Sequence, residues 1–160
     1  MKDVEILRSS INICDLHMAR LNTALSGTSH LFPMSPKILE NMPDTDLAML
    51  NMLTTRFSSL QDTIGHKIFP LVVELFLEEN PSDKSFIDIL NKMEKIGALE
   101  NKELWNKFRE IRNSITHEYP DQPEFMCKQL ALCAKTSEEL ISYWQFLKKF
   151  INNKVLANYK

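Results

Sequence analysis

Leu7, Ile11, Cys14, Met18, Leu21 and Leu25 recur at alternating steps of four and three residues. That spacing returns to one side of a helix turning about 100° per residue and lines neither face of a strand. Leu47, Leu50, Leu53, Phe57, Leu60 and Ile64 form a second such stripe, and Leu130, Cys133, Leu140, Trp144, Leu147 and Ile151 a third. Apolar stripes at this period must be packed against a neighbouring element, and with Leu, Ile, Met, Lys and Glu dominating the composition the expected class is an all-α bundle. Three glycines in 160 residues leave little material for hairpin turns, and a chain of this length builds one sizeable core. Residues 1–160 are therefore read as a single domain.

Start and stop residues divide the chain further. Gly27 is read as the stop of the first helix, and Pro33, Pro36 and Pro43 make residues 27–43 a long connection. Asp44 is the expected N-cap of a helix running to about Phe69, with a kink or short break at Pro70 before Leu71–Glu79. Asn80-Pro81 closes that segment, and Ser82 is the expected cap of a helix over Asp83–Ile96 that buries Phe86, Ile89, Leu90, Met93 and Ile96 and stops at Gly97. Asn101 caps the next, with Glu103 in its first turn and Leu104, Phe108, Ile111 and Ile115 inward. Pro120 biases Tyr119 out of the helix and leaves His117 in its last turn. After a turn at Pro120–Pro123 a long final helix follows, giving five to six helices with the first and last the longest.

A net charge of −2 gives no overall basic field, so contact with RNA has to be local, and the pair Lys148-Lys149 is too short to supply it. The start MKDVEILRSS carries Asp3 and Glu5 and no apolar h-region, and the run Ile68–Leu77 is broken by Pro70 and Glu74. Neither a signal peptide nor a membrane span is expected, which predicts a cytoplasmic protein without membrane attachment. Cys14, Cys127 and Cys133 are odd in number and lack CxxC spacing, so they read as buried thiols in a reducing compartment, with no metal site and no cofactor. Met42, Met49 and Met52 read as adaptable core filler, and His17, His30 and His66, isolated in sequence, are given no role.

Chemically able side chains crowd into one stretch only, Arg112-Asn113-Ser114-Ile115-Thr116-His117-Glu118-Tyr119, closed by Pro120. A permanent cation, a carboxamide, an imidazole and a phenol together can hold a phosphate and move protons around it. Helical spacing puts Arg112 and Thr116 beside the buried stripe and Asn113 with His117 further round. On an ideal helix Arg112 and His117 then stand roughly 140° apart, too far to share one phosphate directly unless the last turn distorts. Two copies packed about a two-fold axis would bring both to one cleft, which argues for a homodimer. The plain alternative is a histidine favoured at a helix C-terminus by the dipole and an arginine that only solvates an edge. Arg56 and Asp62, six apart on one helix, could orient such a cleft or simply form an ion-paired face.

The pattern Arg112-x-x-x-x-His117-x-Tyr119 resembles the HEPN superfamily and, within it, the HepT-like toxins. Supporting segments are Arg56-Phe57-Ser58-Ser59-Leu60-Gln61-Asp62, Phe86-Ile87-Asp88 with Leu90 through Leu99, Trp105, and Arg109 through Pro120, so that the likeness covers about residues 45–155. The resemblance implies a homodimeric, metal-independent endoribonuclease toxin that cleaves RNA by 2′-hydroxyl attack at a composite site. Arg112, His117 and Asn113 are carried over as catalytic residues, and Arg109, Thr116, Arg56 and Asp62 as possible supports. It further implies that a minimal nucleotidyltransferase antitoxin attaches AMP to Tyr119, adding bulk and negative charge beside Arg112. A second expectation stays open: a non-catalytic HEPN module that binds nucleotide or substrate for a nucleotidyltransferase partner.

Overall fold

The first stripe forms one rod, helix α1 over Lys2–Thr28, with Leu7, Ile11, Cys14 and Leu21 buried and Met18 and Leu25 packed at the margin of the core. The structure, a computed structural model, describes residues 1–117 and 119–159. The helix does not stop at Gly27. It runs through it, because this glycine is needed for close packing: a Cβ there would lie 2.7 Å from Met49 Cγ.

The proline-containing connection is shorter and more ordered than the sequence suggests. A 3-10 turn at Ser29–Leu31 leads to a short helix α2, Pro36–Glu40, in which Ser35 accepts the Ile38 N–H at 3.3 Å and Pro36 occupies the first turn. Proline is tolerated there because that N–H would lack a helical partner anyway. Helix α3 spans Asp44–Thr63; Asp44 lies inside its first turn instead of capping it, and Leu47 is exposed, so the buried stripe begins at Leu50.

At Pro70 the chain neither breaks nor sharply divides. A π turn at Ile64–Ile68, closed by the Phe69 N–H on the Ile64 carbonyl, hands the rod over to helix α4, Phe69–Phe76. Proline cannot donate to the preceding turn and its ring crowds it, and one wider turn absorbs both problems. Helix α4 stops short of Glu79 because Glu78 turns left-handed, φ 56°, and the Leu77 and Glu79 N–H groups both close on the Val73 carbonyl.

Helix α5, Phe86–Lys95, starts three residues later than expected: Ser85 and Asp88 form a reciprocal capping box, while Ser82 sits in a 3-10 turn capped by Asn80. Gly97, φ 81°, ends it as predicted, and Asn101 caps α6, Lys102–Thr116, by accepting the Leu104 N–H at 2.9 Å. Helix α7, Pro123–Phe150, continues through a π turn at Ile151–Val155 and a 3-10 turn at Leu156–Tyr159.

Counting α3, the π turn and α4 as one rod, six helices form an all-α bundle with no strand among the described residues. Its centre is aromatic. Trp105 lies 4.7 Å from the Phe69 ring and edge-on to Phe108 at 5.8 Å, and the Tyr143 hydroxyl donates to the Ala98 carbonyl at 2.8 Å. Trp144, also fully buried, donates its indole N–H to Asp15 at 2.9 Å, which ties α7 to α1. Among the described residues no helix is long and apolar enough to cross a membrane.

All three cysteines are buried and unpaired, and burial pushes the Cys14 and Cys133 thiols up to about 12 and the Cys127 thiol upward as well. A thiol held protonated and out of solvent is a poor nucleophile. The native protein at pH 8 is expected to react with a thiol-specific disulfide reagent over hours, and to release the signal of three thiols within minutes in denaturant. Rapid stoichiometric labelling of the native chain would show that this packing is wrong.

Candidate functional site

The face of α6 that buries Trp105 carries Arg109 and Arg112 one and two turns further on, where the bundle opens to solvent. Across from them lies the end of α3. Asp62 takes the Arg112 guanidinium in a two-point grip, Nε to Oδ1 at 3.0 Å and Nη2 to Oδ2 at 2.9 Å. Both side chains are about one-third exposed, 32% and 35%, so water screens the pair and its main effect is to fix the plane and direction of the guanidinium. Thr116 adds a third support: its hydroxyl donates to the Arg112 carbonyl at 2.7 Å and stands 3.4 Å from Nη1.

Asp62 and Arg112 border a cleft of about 180 Å³ between α3, the π turn, the start of α5 and α6. Gln61, Asp62, His66, Arg109, Arg112 and Asn113 supply its polar walls. Gly65 and Phe86 complete it, and a Cβ on Gly65 would press within 3.0 Å of the Trp105 ring. Arg109 lies over the face of Phe86, 4.9 Å from the ring centre, and has no ion-pair partner among the described residues. The arrangement suits a small planar or tetrahedral anion, which both guanidinium groups can meet with directed N–H donors.

Two of the expected site residues lie elsewhere. His117 is not in the last turn of α6: the helix ends at Thr116, and His117 follows it in extended backbone, φ −100°, ψ 142°. The Thr116 hydroxyl bond to the Arg112 carbonyl competes with a further helical turn, and β-branched Ile115 and Thr116 favour the stop. The helical angle between Arg112 and His117 therefore does not apply, and the exposed imidazole does not line the Arg112 cleft. Tyr119 also lies outside the cleft. Its half-buried ring stands edge-on to Phe125 at 5.0 Å and 6.4 Å from the His117 ring, at the corner between α6 and α7.

Arg56 likewise supports something other than the cleft. It faces α1, where Nη1 donates to His17 Nδ1 at 3.0 Å; burial, and then the Arg56 charge, hold that imidazole below the ordinary histidine range. His30 pairs with Asp46 at 2.9 Å, joining the turn after α1 to the start of α3. His66, given no role by the sequence, is the histidine that enters the cleft. The one available signal was its position four residues after Asp62, which keeps both on one helical face.

A larger cleft of about 810 Å³ lies between the α5–α6 connection and α7. Its rim carries Glu94, Glu100, Glu138 and Glu139, so it repels phosphate and is a poor candidate for RNA. Among the described residues no three His, Cys, Asp or Glu side chains are grouped so as to hold a metal ion. Comparison with family models, curated proteins and solved structures finds no match.

A double-mutant cycle tests the two-point grip. Asp62→Ala, Arg112→Ala and the double variant are expected to show a coupling of about 1 kcal/mol in unfolding free energy, the range for a well-aligned but solvated pair. Additivity within about 0.3 kcal/mol would mean that the carboxylate does not hold the guanidinium in solution.

Proposed function

We propose that this chain is a HEPN-type, HepT-like ribonuclease toxin that works as a homodimer. The observation that carries the reading is Arg112, oriented by Asp62 and Thr116 at the edge of a cleft it shares with Arg109 and Asn113. A preoriented guanidinium stabilises the crowded charge of a phosphorane without reorganising at the moment of reaction. Asn113 donates from its carboxamide to the same phosphate. His117 acts as the base that takes the RNA 2′-hydroxyl proton, so that the 2′-oxygen attacks the adjacent phosphorus. Because His117 lies off the cleft within one chain, the second copy of a dimer supplies the missing approach.

A second reading has its own support. Asp62 already neutralises much of the Arg112 charge, and His117 is displaced from it, which also fits a non-catalytic module that presents nucleotide or substrate to a nucleotidyltransferase partner. The two readings part at His117. Because it is exposed and past the helix end, His117→Ala costs little stability. Under the ribonuclease reading this variant loses RNA cleavage in EDTA-containing buffer by about 100-fold or more, and with it growth toxicity. Unchanged cleavage removes His117 from the chemistry, and a light-scattering mass of one chain at micromolar concentration removes the dimer.

The partner on the first reading is a minimal nucleotidyltransferase antitoxin that transfers AMP to Tyr119. Co-expression is expected to add one or more AMP masses to the peptide containing Tyr119 and to silence cleavage while the protein stays folded. Tyr119→Phe keeps the ring against Phe125 and removes the acceptor oxygen, so this variant should stay toxic beside the antitoxin. If it is still neutralised and still gains AMP, the acceptor is another residue.

A further inference from the structure

Cleavage by 2′-hydroxyl attack needs two groups that exchange protons, a base for the attacking oxygen and an acid for the leaving one. The sequence motif supplies one. Arg112 is permanently protonated and cannot serve as an acid at neutral pH, and the Asn113 amide does not titrate. Beside Arg112 and Asn113 the cleft presents one imidazole, His66, exposed on the π turn and 6.1 Å from the Phe86 ring. Wider π turns inside α-helices recur at functional sites, because they re-aim a side chain that a regular helix would direct elsewhere. This one also depends on Gly65, whose missing side chain lets the turn settle within about a Cβ contact, 3.0 Å, of the buried Trp105. Gln61, only 4% exposed as a residue, also lines the cleft and offers it a carboxamide.

We propose that His66 is the general acid of this cleft, paired with His117 as the base. The assignment rests on the ribonuclease reading above and extends it to a residue outside the motif. The 2′-oxygen forms its bond to phosphorus as its proton passes to His117. The bond from phosphorus to O5′ breaks as the protonated His66 imidazole gives its proton to O5′. The products are a 2′,3′-cyclic phosphate and a 5′-hydroxyl, and exchange with water restores both imidazoles. Arg109 and Arg112 hold the non-bridging oxygens between the two histidines.

A leaving group that needs no acid tests this directly. His66→Ala and His66→Gln are each expected to lose about 100-fold or more on an RNA oligonucleotide. Both should cleave the same oligonucleotide near the wild-type rate when the scissile 5′-oxygen is replaced by sulfur, because a thiolate departs unaided. His117→Ala should stay slow on both substrates. In the wild-type protein, the nitrogen-15 signals of the His66 ring should shift on titration with an uncleavable 2′-O-methyl oligonucleotide. Equal losses on the oxygen and sulfur substrates, no loss at all, or unmoved His66 signals would overturn the assignment. If His66 variants cleave normally while His117→Ala does not, the acid comes from another group and the ribonuclease reading stands. A wild-type protein that fails to cleave RNA in EDTA removes both.

Discussion

The seating of Trp105 beneath the π turn at Ile64–Ile68 sets where everything on α6 points. The indole is fully buried, tilted against Phe69 and edge-on to Phe108, and burial of a side chain this size outweighs the cost of leaving its N–H without a partner, about 1–3 kcal/mol. With Trp105 pinned, rotation of α6 about its axis is fixed, and so is the side on which Arg109 and Arg112 emerge. Pro70 prompts the wide turn, Gly65 lets the indole approach it, and the same turn lifts His66 into the cleft. One packing arrangement thus serves core and site together.

Electrostatically the cleft is a compromise. An arginine left free at a helix end samples many rotamers, and ordering it on a ligand costs conformational entropy. Asp62 meets that cost in the folded protein but subtracts a charge from the surface where the proposed anion would sit. Arg109 restores the balance. Its guanidinium is held by the Phe86 face instead of a carboxylate, so it is positioned without being neutralised. The cleft therefore combines one guanidinium fixed by charge with one fixed by stacking, and its local field differs in sign from the −2 of the whole chain.

The helical stripes were legible because burial selects them directly: Leu7, Phe57, Cys133 and Leu147 are each fully buried. Caps were legible where one residue had no nearby rival, as at Asn101 and Gly97. They were misplaced where two candidates competed; Ser82 and Ser85 both precede the apolar run, and Asp88, completing the capping box, decides for Ser85. Glu78 in a left-handed conformation carries no sequence mark, since glycine is the usual signal for that geometry. Gly27 misled for the opposite reason, being required by the approach of Met49 and not by its own backbone. In the site, the sequence named Arg112, Asn113 and, as a possible support, Asp62, whereas the two-point grip of Asp62 on Arg112 and the entry of His66 depend on how α3 and the π turn meet α6, which no local pattern encodes.

The end of α6 decides where His117 stands. A continuous helix would have fixed it far round from Arg112; stopping at Thr116 instead places it on the corner that leads to α7. That corner is held at its far side, where the Gln122 N–H closes on the Tyr119 carbonyl at 2.9 Å and the Tyr119 ring rests on Phe125. His117 and Tyr119 therefore belong to one surface and the Arg112 cleft to another. If the proposed dimer joins these surfaces, the corner of one copy meets the cleft of its partner, and an AMP on Tyr119 need not enter the cleft in its own chain to inhibit it. Its bulk and charge would fall between the two copies, where they prevent His117 from closing on the partner's phosphate site.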